Sequence, residues 1–221
     1  MAQASQVLLN PRKSPVQARS AATVEAILDA TIQVLLHVGK ERLTTTRVAL
    51  RAGVSIGTLY QYFPNKKAML QAALRRHLNS VSQAVERVCR EQQGHSLGEM
   101  AAALVNAFLD AKMKDAKTSA ALYSVSSDVD GFKISREVNL RANDQIAEML
   151  ASARDGLAHD PQIIASMVQA TLNGVSRRVL ESEEPARGFA EIRNELIFFV
   201  TAYLDACSSR AQSSALKNGK S

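Results

Sequence analysis

Tryptophan is absent from the 221 residues, and aromatic residues of all kinds amount to 5%. A chain so poor in aromatics, and rich in Ala and Leu, lacks the large and β-branched side chains that sheets draw on, and it favours helices. Cysteine occurs only twice, at the distant positions Cys89 and Cys207. That excludes a disulfide framework and a CxxC pair, and it fits a reducing, cytoplasmic location. Ten glycines and five prolines are too few for a collagen-like or Pro/Gly-rich disordered chain. The longest apolar stretch, near Leu196 to Leu204, is about half of the ~20 residues a membrane-spanning helix needs. The apolar residues Val7, Leu8 and Leu9 precede Arg12 and Lys13, the reverse of the order in a signal peptide. Sets of catalytic groups are missing as well: there are no paired carboxylates, no Ser-His-Asp or Cys-His pattern and no Gly-rich phosphate loop. His37, His77, His95 and His159 show no ligand spacing, and His77, on an apolar helix face, reads as a core residue. The expectation is a protein that is not an enzyme, has no metal or cofactor and has no membrane segment.

What the chain does have is an uneven distribution of charge. The formal net charge is +6. Residues 1–67 carry nine Lys and Arg against three Asp and Glu, so the whole excess lies in the first third. A basic head on a neutral body suits a polyanion.

Apolar residues at spacings of three and four mark helices throughout, and no strand-like alternation persists. Residues 1–19, with Pro11, Lys13, Pro15 and Arg19, read as a flexible basic arm. A first helix is predicted from Ser20 to Val38, ended by Gly39, and a second from Thr45 to Ala52, capped by Thr44. A third runs from Ile56 to Phe63, capped by Ser55 and stopped by Pro64, and a fourth from Asn65 to about Cys89. Five further helices are predicted near 97–114, 118–128, 132–155, 161–182 and 187–208, with a frayed polar tail over 209–221. The fold class is all-α: a head over 20–66 and a helical body over 67–208.

The second and third helices, joined by Ala52-Gly53-Val54-Ser55, form a helix-turn-helix. In such a pair the second helix enters the DNA major groove, its first residues against base edges. Those residues are Ser55, Ile56, Gly57, Thr58 and then Gln61. Thr58 and Gln61 can hydrogen-bond to bases, and Ile56 can pack on a thymine methyl. Gly57 inside an exposed helix costs roughly 1 kcal/mol relative to Ala, a cost that close approach to a ligand surface explains. Tyr60, Tyr62 and Lys66 suit phosphate oxygens, as do Thr44, Thr45, Thr46 and Arg47 at the start of the second helix.

The run from Thr44 to Lys66, and above all AGVSIGTLYQYFPNK, resembles the DNA-binding signature of tetracycline-repressor (TetR) type transcriptional regulators. The likeness extends over about residues 20–68. It implies a homodimer with a three-helix head that binds a double-stranded operator, and a helical body that binds a small-molecule effector and dimerises through its last two long helices. Carried over by position, Thr45, Tyr60, Tyr62 and Lys66 would contact phosphates, and Ser55, Ile56, Gly57, Thr58 and Gln61 would lie at the bases. Many relatives have Lys or Arg where this chain has Ile56, which removes one possible guanine contact. In the body, Met100, Leu104, Phe108, Tyr123 and Met149 are the expected effector lining, for a hydrophobic ligand. Ile164, Val168, Leu172, Val175, Val179, Leu196, Phe199, Val200 and Tyr203 are the expected dimer interface. The function expected is a ligand-responsive repressor. The alternatives are an effector-independent DNA-binding protein or, at greater distance, a small helical enzyme.

Overall fold

A computed structural model describes residues 15–182 and 189–209. Among them nine α-helices and one short 3-10 turn follow in chain order: α1 Pro15–Arg42, α2 Thr45–Ala52, α3 Ile56–Tyr62, α4 Lys66–Glu91, α5 Leu97–Met113, α6 Ala116–Ser124, the 3-10 turn Ser126–Val129, α7 Gly131–Ala151, α8 Pro161–Leu180 and α9 Phe189–Ala206. The described residues contain no strand, only one isolated bridge between Leu157 and Ser208. The chain divides into two compact units, Met1–Met69 and Leu70–Ser221.

In the first unit α1 packs on α2 and α2 on α3. Ile27, Leu28, Leu35, Leu43, Val48, Ala49, Leu59 and Phe63 are buried there. The Thr31 hydroxyl, buried among them, is satisfied by donating to the Ile27 carbonyl at 2.7 Å. One sequence expectation is corrected in α1. Residues 15–19, read as part of an arm, are its opening turns, because a proline at the first helical position loses no hydrogen bond; residues 1–14 lie outside the described residues. Gly39 interrupts the helix where expected, with φ 75° and ψ 171°, and a further short helical turn beyond it reaches Arg42. By length and composition alone, Arg19–Arg42 could cross a membrane. Its apolar stripe is instead the side that packs within this unit.

The second unit is held by α5 against α9 and by α7 against α8. Its core gathers Val81, Val85, Leu97, Met100, Leu104, Leu109, Ile146, Met149, Leu150, Ile164, Val168, Leu172, Leu196, Val200 and Leu204. Helix starts carry side-chain caps. Ser96 and Glu99 form a capping box on α5, and Asp115 and Asp160 cap α6 and α8. The frayed tail read over 209–221 lies outside the described residues apart from Ser209.

Gly131 opens α7 directly against the 3-10 turn. A Cβ at that position would sit 2.6 Å from the Ser126 carbonyl oxygen and 2.9 Å from its Cα. Both obstacles are backbone, so they yield only by moving the turn. Gly131→Ala is expected to cost about 1–3 kcal/mol, the usual range for overpacking, read as a lower denaturant midpoint. An unchanged midpoint would show that the turn moves freely.

Candidate nucleic-acid interface and body cavity

The geometry of the head follows from local chemistry. The Thr44 side chain accepts from the Arg47 amide at 3.3 Å and starts α2. Gly53, left-handed at φ 69°, ends it, and its amide and that of Val54 return to the Leu50 and Ala49 carbonyls. The Ser55 hydroxyl accepts from the Thr58 amide at 2.9 Å and starts α3. Leu59 is fully buried and anchors α3 on one side. On the other side Ile56, Gly57, Tyr60 and Gln61 are exposed. An added Cβ at Gly57 would meet nothing closer than the Ser55 Oγ, at 3.7 Å. Packing within the chain therefore does not require the glycine, and its effect is to flatten the open side of α3.

The residues expected at phosphates divide. Thr46 and Arg47 are exposed, Thr45 is half-buried, and the Thr45 and Tyr60 hydroxyls lie 3.1 Å apart, side by side at the α2–α3 edge. Tyr62 is half-buried. The Lys66 ammonium donates to the Lys40 carbonyl at 2.8 Å, so it fastens the end of α1 as well as carrying a charge. The Ser55 and Thr58 hydroxyls are 2.8 Å apart and share their hydrogen bonding with the cap. Gln61 is exposed and takes no part in that hydrogen bonding. Sequence reading missed Arg51, whose Nε donates to the Gln33 side-chain oxygen at 2.6 Å and braces α2 on α1.

The body contains a cavity of about 720 Å3. Helices α4 to α8 and the 3-10 turn contribute its wall, which includes Leu74, His77, Leu78, Lys112, Tyr123 and Asn173. A tight apolar recess of about 30 Å3 shares Leu78, Lys112, Asn139, Gln169 and Asn173 with that wall and adds Phe108. Of the five residues expected to line an effector site, Tyr123 and Phe108 are in these walls. Met100, Leu104 and Met149 are not: they are fully buried in the core. The reason is angular. Four residues turn a helix by about 40° more than a full circle, so the line Leu104, Phe108, Lys112 rotates from the core to the cavity. The sequence signal that was missed is Lys112 itself, a charge on the apolar stripe of α5.

Burial lowers the Lys112 ammonium from 10.5 to about 8. His77 is held at about 4, chiefly by burial and then by the Lys112 charge, against a smaller opposing pull from Asp115. The Ser119 hydroxyl donates to the Lys112 carbonyl at 2.8 Å, so its oxygen accepts from His77 Nε2–H at 3.1 Å, which fixes the neutral tautomer. His77 therefore stands in the cavity wall, not in the closed core. Burial raises the Cys89 thiol to about 12, which keeps it protonated.

Most of the residues expected at a dimer interface are packed inside the single chain. Ile164, Val168, Leu172, Val179, Leu196 and Val200 are buried within the single chain, and Val175 is partly buried against the same core. Tyr203 is partly buried there too, and only Phe199 of that set is exposed. The apolar side chains that α8 and α9 leave open are Ile163, Met167, Phe198 and Phe199.

Two family models match this chain. "Bacterial regulatory proteins, tetR family" covers residues 27–73, and "Tetracyclin repressor-like, C-terminal domain" covers residues 96–204. Together they account for more than half of the sequence. The transcriptional repressor KstR of Mycolicibacterium smegmatis is 41% identical over 61 residues, 28% of this chain and 30% of that protein. The transcriptional regulator BetI of Serratia proteamaculans is 31% identical over 81 residues, 37% of this chain and 41% of its own. The chain thus spans less than half the length of these curated relatives. Among solved structures, a TetR-family transcriptional regulator from Mesorhizobium loti superposes with a TM-score of 0.69 at 19% identity, over 86% of this chain and 98% of that one. SmeT, the repressor of the SmeDEF multidrug efflux pump of Stenotrophomonas maltophilia, superposes at 0.64 and 24% identity, over 83% and 91%. With both models matched in order along one helical chain, the protein belongs to the tetR family of bacterial regulatory proteins.

Proposed function

We propose that the protein is a cytoplasmic, homodimeric repressor that reads a pseudo-palindromic operator and is released from it by a small-molecule effector. The observation that carries the reading is α3: a short helix anchored by buried Leu59, with Gly57 and Gln61 on its open side. The basic balance of the head supports it, since phosphate neutralisation supplies much of the affinity and makes it steeply salt-dependent. Two heads enter successive major grooves when their reading helices lie ~34–36 Å apart. Ile163, Met167, Phe198 and Phe199 are the side chains a second copy would cover. The cavity, at about 720 Å3, supports the effector part of the reading over an effector-independent DNA-binding protein. An effector lowers DNA affinity by the difference in its binding to the two head arrangements, and by no more.

Gln61 supplies the test. In gel-shift titrations against a randomised duplex library, Gln61→Ala is expected to relax preference at one position per half-site, by about 1–3 kcal/mol. An equal loss on all sequences would give Gln61 a positioning role. No shift by the parent protein on any duplex at low ionic strength would sink the DNA-binding reading.

A further inference from the structure

Lys112 has 4% of its surface exposed, yet it lines both the cavity and the recess. Its ammonium lies 5.8 Å from the ring centres of Phe108 and of Tyr123. Among the described residues no carboxylate or other hydrogen-bond acceptor meets that ammonium. Two ring faces replace only part of the water a cation gives up, and a buried charge without a counter-ion destabilises the fold that holds it. The rest of the wall does not correct the imbalance. It contains Arg136 and Arg177 and no Asp or Glu. Arg177 is paired with Glu181 at 3.2 Å, and Arg136 is exposed to solvent. His77 is neutral and hydrogen-bonded to Ser119. Lys112 is therefore a largely buried side chain whose ammonium opens onto a ligand-sized space with its counter-charge missing.

We propose that this cavity takes an amphipathic organic anion, with one carboxylate against the Lys112 ammonium and an apolar body along Leu74, Leu78, Leu122 and Phe132. The inference rests on the reading of the cavity as the effector site, and it names the chemical class of that effector. A single buried cation calls for a single anionic group; a polyphosphate would bring more charge than the buried wall balances. A cationic ligand would meet charge of its own sign. The Asn139 and Asn173 side chains line the wall beside Lys112 and offer amide donors for a second carboxylate oxygen. The volume suits a drug-sized molecule, for which ~300–1,000 Å3 is usual. The recess, at about 30 Å3, admits no more than a methyl-sized group. The ligand body therefore belongs in the larger cavity.

Calorimetric titration of the full chain with matched probes tests this: decanoate against decanol, and 4-phenylbutyrate against 4-phenylbutanol. The acids are expected to bind about 10- to 100-fold more tightly than the alcohols, as a charged hydrogen bond in a buried site allows. In Lys112→Met that preference should vanish while the alcohols keep their affinity. Lys112→Gln, neutral but polar, serves as a second variant and should behave alike. Equal binding of acid and alcohol by the parent protein, or a preference that survives in both variants, would overturn the anion inference and leave the effector site standing. Binding of no probe would overturn both.

Discussion

Replacing Phe198 and Phe199 together by glutamate is expected to leave the chain folded and make it monomeric. The two side chains are 70% and 57% exposed in the single chain, so charging them removes nothing from its core. In a dimer the same charges would be buried facing their symmetry mates, where like charges desolvated together are strongly unfavourable. The consequence for DNA binding exceeds the loss of an interface. Two linked heads bind a two-site operator with the second event made intramolecular, an advantage of about 10²–10⁴-fold. The double variant should forfeit that advantage on a duplex with two half-sites and bind a duplex with one half-site much as the parent does. Sedimentation velocity reads the first outcome and gel-shift the second. Leu196→Glu is the control. Leu196 is 4% exposed, so its glutamate variant should lose thermal stability whether or not a dimer forms. A dimeric, operator-competent F198E/F199E protein would remove α9 from the interface.

The contrast between Leu196 and Phe198 shows how far the sequence could be read. Helix ends in the head are written in local chemistry. The Thr44 and Ser55 hydroxyls, the left-handed Gly53 and the proline after Phe63 each act on amides or carbonyls within a few residues, so the helix-turn-helix was legible to within about a residue. Periodicity likewise announced each helix of the body. It does not say which neighbour covers which face. Ile163 and Ile164 are adjacent, and so are Phe199 and Val200, with one of each pair inside the chain and the other outside. An apolar pattern broader than one face left that choice to tertiary packing, and the expected interface set took mostly the inner side. The cavity was the least legible part. Leu104 and Phe108 occupy equivalent steps of one stripe, and only the slow rotation of that stripe against α4 and α7 separates core from wall. Lys112, which gives the wall its character, lies four residues beyond Phe108, on a stripe read only for its apolar members.

Stability should depend on pH in two separate windows, each belonging to one residue of the cavity wall. His77 has its pKa depressed from 6.5 to about 4, by burial first and the Lys112 and Arg76 charges with it, while Asp115 pulls the other way. As pH falls from about 6.5 to 4, the unfolded chain takes up a proton that the folded chain refuses, so stability declines through that interval. One pKa unit corresponds to about 1.4 kcal/mol, which puts the full loss near ~3 kcal/mol. Lys112 works on the alkaline side with the same sign. Its pKa is depressed from 10.5 to about 8, so the folded state gives up its proton first and stability recovers as pH rises from 8 to 10.5, again by ~3 kcal/mol. At pH 7 the ammonium is charged in both states and its burial penalty is present in full. Lys112→Met, whose side chain keeps most of the stem without the charge, should therefore be more stable than the parent at pH 7. The gap should narrow steadily towards pH 10.5. Urea unfolding of both proteins across pH 7–10.5 measures the difference directly, and because the other titrating groups are common to both, their contributions cancel. A constant gap over that range would mean that the ammonium keeps its ordinary pKa in the folded chain and reaches water through the cavity. The same penalty is what a bound carboxylate would relieve, so a decanoate-saturated parent should lose the alkaline slope and stand above Lys112→Met at pH 7.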